Sequence, residues 1–167
     1  MVLSIDFFLL DLIQNKLRCK VLDSLMVKIS ALGNGGMIWI VIALLLISHQ
    51  NYRKAGIIIL AGLLMGVLIG NCILKNLIAR PRPCWINREV QLLIDVPYDY
   101  SFPSCHTMSS FIAAIILLHI NVFFGYAALL LAGLIAFSRL YLYVHYPTDI
   151  LGGIAVGTII ARIVCLL

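Results

Sequence analysis

Two histidines, an aspartate and three long cations, all in the second half of the 167-residue chain or just before it, have the types and spacings needed for chemistry on an anion. His145 and Asp149 lie four residues apart. At the head of a helix both project from one face, and a carboxylate that reaches one imidazole nitrogen fixes the tautomer and raises the basicity of the other. Such a histidine suits nucleophilic or general-base work. His106 comes from a separate segment and can take the opposite role, general acid toward a leaving group. Lys75, Arg82 and Arg139 supply one ammonium and two guanidiniums, the set expected around a phosphate, with arginine able to engage it bidentately. Ser104 and the amides of Cys105 and His106 stand where a helix begins, and a helix N-terminus is a ready-made anion site.

Those residues are embedded in a chain that is 63% hydrophobic and 11% charged, with a mean hydropathy of +1.09. A water-soluble domain carries roughly 25% charged residues, so most of this surface faces something other than water. An ordinary soluble globule, a disordered chain and a nucleic-acid-binding module are excluded, and the expected class is an all-α integral membrane helical bundle forming one domain over residues 1–167. The net charge of +5 fits anionic headgroups, basic loops or an anionic substrate. Five scattered cysteines, without a CxxC pair or Cys/His ligand spacing, predict neither a metal site nor a disulfide framework. The first apolar run carries Asp6, Asp11 and Lys16 with no small-residue cleavage site after it, which argues against a cleaved signal peptide.

A spanning helix needs about 20 apolar residues. Five spans are read from the apolar runs: Ile29 to Tyr52 with its apolar heart at Met37 to Ser48, Ala55 to Leu74, a long run broken near His119 to Asn121 into roughly His106 to Leu118 and Val122 to Tyr143, and Pro147 to Leu167. Residues 4–30 differ, because Asp11, Gln14 and Arg18 form a narrow polar stripe on an otherwise apolar helix. An amphipathic helix lying in the interface, followed by a transmembrane bundle over 33–167, fits this pattern better than a sixth span. The pairs Gly62/Gly66 and Gly153/Gly157 sit four apart and predict close helix packing.

Consecutive spans alternate direction. The end of the second, the start of the third, the end of the fourth and the start of the fifth therefore share one face of the bilayer, and with them Lys75, Arg82, His106, Arg139, His145 and Asp149. Ionisable groups at membrane spans are costly and are functional candidates by default. His49 and His119 have no charged companion and are read as headgroup-level residues, and Arg53, Lys54 and Arg162 as interfacial anchors. Arg80 and Arg88 fit lipid or substrate contact and plain solubility equally well.

In order along the chain, the residues make a three-part pattern: Lys75 followed after six residues by Arg82-Pro83; Pro103-Ser104-Cys105-His106; and Ser138-Arg139, five residues, His145, three residues, Asp149. This resembles the signature of the type 2 phosphatidic acid phosphatase family, the PAP2 superfamily. The resemblance implies that His145 attacks phosphorus to form a phosphohistidine, that Asp149 supports it, and that His106 protonates the departing oxygen and then activates water. It implies that Lys75, Arg82, Ser104, Arg139 and the amide of Cys105 hold the phosphoryl oxygens, and that no metal or other cofactor takes part. Cys105 departs from the pattern, standing where the family usually has glycine. A positive φ there would strain a cysteine. A cysteine phosphatase would want arginine six residues after the thiol, where Phe111 stands. Whether Cys84 and Cys105 pair depends on a distance that sequence does not give.

The small single-domain form resembles bacterial enzymes that dephosphorylate undecaprenyl diphosphate, with phosphatidylglycerophosphate and phosphatidate as the next substrates. A second class, a membrane protein that binds or transports phosphate without hydrolysing it, needs the cations but neither histidine. The expected partners are a lipid phosphate and the bilayer, with no nucleic acid; oligomeric state is not encoded legibly. The resemblance favours a cell-membrane protein with an extracytoplasmic site. Basic residues near the spans favour that side only once Lys75, Arg82 and Arg139 are counted as phosphate ligands, leaving Arg53 and Lys54 as the basic loop of the other face.

Overall fold

A chain in lipid must satisfy its backbone N–H and C=O groups internally, and a helix does so within one segment. The computed structural model describes residues 2–166 and, among them, contains helices and no strand. They are α1 (Val2–Leu17), α2 (Lys20–Leu32), α3 (Met37–Ser48), α4 (53–78), a short α5 (Pro83–Ile86), α6 (Cys105–Ile120), α7 (Val122–Tyr141) and α8 (Pro147–Cys165). The run Gln50–Ile86, which contains α4, and helices α7 and α8 are long and apolar enough to cross a bilayer; α2 and α3 form a fourth such unit bent by 46°, and α6 is a shorter apolar helix.

Helix α6 is the hub, packing against α4, α7 and α8. Its Ile112, Ala113 and Ala114 are fully buried. The predicted glycine pairs make these contacts possible. A Cβ at Gly157 would stand 2.6 Å from the carbonyl oxygen of Met108, and one at Gly62 would stand 2.8 Å from a methyl of Ile112. Such close backbone approach is how helices associate where lipid removes the hydrophobic drive.

Two departures from the sequence expectation bear on the site. The single helix expected over residues 4–30 is broken: Cys19 is extended (φ −155°, ψ 156°), between α1 and α2. Tertiary hydrogen bonds replace helical ones there. The Cys19 amide donates to the Tyr141 hydroxyl (3.2 Å), Gln14 donates to the Tyr141 carbonyl (2.7 Å), and Arg18 donates to the Gln91 carbonyl (2.8 Å). The polar stripe of Asp11, Gln14 and Arg18 thus meets protein, with Asp11 accepting from the Tyr143 hydroxyl (3.0 Å), while Ile5, Phe8 and Leu12 are exposed. In addition, α4 widens to π-helical turns over Val67–Leu74 immediately before Lys75. Wide turns of this kind re-aim side chains and are frequent at functional sites.

Candidate active site

The loop between α7 and α8 carries His145, 1% exposed, at its turn into α8. Its Nε2 lies 3.1 Å from Nη1 of Arg82. Its Nδ1 lies 3.5 Å from Oδ2 of Asp149, an ion-pair distance rather than a hydrogen bond, and is otherwise buried without a partner. The sequence places the two groups on one face, and they do meet, but Asp149 has other commitments. Its Oδ1 accepts from Nη1 of Arg80 (2.6 Å), and its Oδ2 accepts from the Tyr146 amide (2.9 Å) and the Ser101 hydroxyl. The Tyr146 contact closes a capping box that starts α8 and so fixes His145 just outside it.

The cations converge from three segments. Arg82 is held by the Val144 carbonyl (2.7 Å) and by Asp99, whose backbone and side-chain oxygens accept from Nε and Nη2 at 2.7 Å each. Lys75 is paired with the other oxygen of Asp99. Arg139 donates to the Ser30 hydroxyl of α2 (2.5 Å), and its Nε is buried without a partner. Lys75, Arg82, Cys105, His106, Arg139 and His145 line one cavity of about 970 Å³, whose walls include Leu63, Val67 and Leu93. Ser104 and Asp149 are fully buried behind it. The Ser104 hydroxyl accepts from that of Thr107 (3.0 Å).

Asp99 and His145, both outside the spans, have lowered pKa values. At Asp99 burial alone would raise the pKa, but the bond from Lys75 and the charges of Arg82 and Lys75 outweigh it and hold the carboxyl at about 2. Burial, then the charges of Arg82, Arg139 and Lys75, push His145 well below the ordinary histidine range. A neutral imidazole beside three cations keeps a lone pair instead of adding a fourth positive charge. Among the described residues no three His, Cys, Asp or Glu side chains are grouped as a metal ion would need.

Cys105 is the first residue of α6 and lies outside the positive-φ region, so the side chain causes no backbone strain. Its thiol donates to Oδ1 of Asn71 (2.5 Å) on the widened part of α4. Cys84 and Cys105 are both free thiols. His49 is exposed, and exposed His119 contacts only the Ile115 carbonyl of its own helix (3.0 Å) among the described bonds.

Sequence reasoning missed four contributors. Asp99 reads as an ordinary loop acid, and Asn34, whose Oδ1 lies 2.9 Å from Nε2 of His106, carries no charge to mark it. Arg80, balanced between two readings, proves to be a partly buried bridge: it donates to Asp149, to Thr148 (2.7 Å) and to Asp6 of α1 (2.7 Å), and stacks on the Tyr146 ring at 4.0 Å. Asp6, in turn 1% exposed, was legible only as a charge out of place in an apolar run.

Comparison with known proteins agrees with this geometry. Residues 55–167 match the sequence profile of the PAP2 superfamily. Over 144 residues the chain is 35% identical to undecaprenyl-diphosphatase BcrC of Bacillus subtilis, covering 84% of this chain and 72% of that one. Over 138 residues it is 30% identical to an undecaprenyl-diphosphatase of Sulfolobus acidocaldarius, covering 82% of this chain and 66% of that one. The crystal structure of a transmembrane PAP2-type phosphatidylglycerolphosphate phosphatase from Bacillus subtilis superposes with a TM-score of 0.80 at 27% identity, over 98% of this chain and 84% of that one.

Proposed function

The chain belongs to the PAP2 superfamily, and we propose that it is a multi-pass membrane phosphatase that hydrolyses undecaprenyl diphosphate through a phosphohistidine, without a metal ion. The observation that carries this reading is one cavity lined at once by two histidines and three cations, with a second, buried shell anchoring the nucleophile. The lipid relatives named for undecaprenyl diphosphate support that substrate over phosphatidylglycerophosphate and phosphatidate.

In the first step Nε2 of His145 bonds to phosphorus as the bond to the leaving oxygen breaks. His106 gives that oxygen its proton, and undecaprenyl phosphate departs. Nδ1–H of His145 faces Asp149, which steadies the positive charge the ring acquires. In the second step His106 takes a proton from water as the water oxygen bonds to phosphorus, and the phosphorus–nitrogen bond breaks to release orthophosphate. Lys75, Arg82 and Arg139, with the amides at the start of α6, stabilise the charge on the equatorial oxygens throughout, which is the main task in phosphoryl transfer. The Arg139 Nε, buried without a partner, is a donor suited to one of those oxygens.

The extracytoplasmic side suits this site. Lys75, Arg82 and Arg139 are all buried, at 5%, 2% and 5% exposure, and so are not the free basic charges that orient a loop inward. The test is phosphate release from the three lipids, with and without EDTA, in detergent and in sealed vesicles of each orientation. Undecaprenyl diphosphate should give the highest kcat/KM, activity should persist in EDTA, and right-side-out vesicles should hydrolyse external substrate. A strict Mg²⁺ requirement, a preference for another lipid, turnover by inverted vesicles alone, or phosphate binding without release would overturn the corresponding part.

A further inference from the structure

The segment Gly33-Asn34-Gly35-Gly36 between α2 and α3 is shaped around His106. Gly35 (φ 59°) and Gly36 (φ 71°) both adopt left-handed backbone, which glycine takes without strain. A Cβ at Gly33 would stand 2.8 Å from Cδ2 of His106, so only glycine lets the ring lie this close. Asn34, between these glycines, presents Oδ1 2.9 Å from Nε2 of the ring. The register of the turn on α6 is set independently: the Trp39 indole N–H donates to Oγ of Ser110 (2.9 Å), and that hydroxyl donates to the His106 carbonyl (2.7 Å). Trp39 and Ser110 are both fully buried.

We propose that Asn34 is the positioning residue of the acid–base histidine: its side-chain carbonyl accepts from Nε2–H of His106 in every protonation state and leaves Nδ1 as the nitrogen that exchanges a proton with the leaving group and with water. This rests on the acid–base role given to His106 above. An amide carbonyl can accept but not take up a proton, so it holds one tautomer while the ring cycles between imidazolium and imidazole. In the first step Nδ1–H passes to the leaving oxygen; in the second Nδ1 recovers a proton from water; Nε2–H stays on Asn34. The other titratable groups acting on His106 are Arg139 of α7, His145 of the following loop, Lys75 of α4 and Arg82 of the loop after it. Arg139, Lys75 and Arg82 carry no acceptor, and the one lone pair of neutral His145 is that of the Nε2 that attacks phosphorus, so none of them does the same for Nε2–H.

The test uses the purified full chain with Asn34→Ala, Asn34→Asp and His106→Ala. It compares steady-state hydrolysis of the prenyl diphosphate with the burst of p-nitrophenol from p-nitrophenyl phosphate, whose leaving group needs no acid. Asn34→Ala should lower kcat on the lipid by about tenfold or more, up to the roughly 10²–10⁴-fold that a general acid contributes, with KM little changed and the burst rate retained. Asn34→Asp, which keeps an acceptor and adds a charge, should restore turnover and move the alkaline limb of the pH profile upward. In the His106→Ala background Asn34→Ala should add no further loss. Equal loss of burst and turnover in Asn34→Ala, an unshifted profile in Asn34→Asp, or additive losses would overturn the proposal. If His106→Ala itself retained lipid turnover, the acid–base reading would fall first; if it lost turnover while Asn34→Ala did not, this inference alone would fail.

Discussion

Asp99 puts a carboxylate between the two cations expected to grip a phosphate. With its pKa at about 2 it is ionised throughout the working range, and Lys75 and Arg82 are both satisfied by it. An incoming phosphoryl group competes with that carboxylate for the same donors, so Asp99→Asn, which removes the charge and keeps the shape, should strengthen inhibition by orthophosphate. A several-fold lower inhibition constant is expected; an unchanged constant would show that phosphate and carboxylate use the cations without competing. The residues that sequence identified and those it missed differ in one respect. Lys75, His106, Arg139 and His145 are conspicuous because an ionisable group beside a span is costly unless used. Asp99 lies in a polar loop, where an acid needs no explanation, and Asn34 is neutral, so neither type nor spacing marks them.

Among the elements, α6 sets the site because it holds His106 at its first turn and contacts every other span along its length. Its contact with α8 is limited by backbone: Gly153 faces the Ser104 carbonyl at 2.7 Å and Gly157 the Met108 carbonyl at 2.6 Å, measured from the Cβ each would carry. Gly157→Ala must therefore push α6 and α8 apart, and overpacking of this kind costs typically about 1–3 kcal/mol. A lower melting temperature in detergent, with lower activity, is the expected outcome; unaltered stability would mean that the contact has slack. Both glycine pairs were legible from their spacing of four. The break at Cys19 was not, because it arises from Tyr141, more than a hundred residues away, taking the Cys19 amide as a partner. The wide turns before Lys75 were equally hidden, since Val67–Leu74 is apolar throughout except Asn71 and reads as ordinary helix.

At the scale of the whole molecule, motif residues from separate segments line one cavity, a convergence that hydropathy and charge position made legible. The N-terminal helices do more than lie beside the bundle. Asp6 of α1 bonds to Arg80 and Thr148, Ser30 of α2 to Arg139, and the turn after α2 to His106. Three separate segments of the candidate site are thus braced from one end of the chain, in contacts that no one-dimensional pattern exposes. The resulting site is a cationic pocket in which the pKa of His145 is lowered, so its imidazole stays neutral as pH falls through the ordinary histidine value of about 6.5. The most direct measurement is rapid-quench trapping of the enzyme with substrate labelled on the transferred phosphorus, across roughly pH 5.5 to 7.5. The account predicts an acid-labile, base-stable phosphoenzyme mapped to His145, formed at both ends of that range, longer-lived in His106→Ala with an activated substrate, and absent from His145→Ala. Label on another residue, or turnover by His145→Ala within about tenfold of the parent, a loss of no more than roughly 1.4 kcal/mol in the barrier, would contradict it.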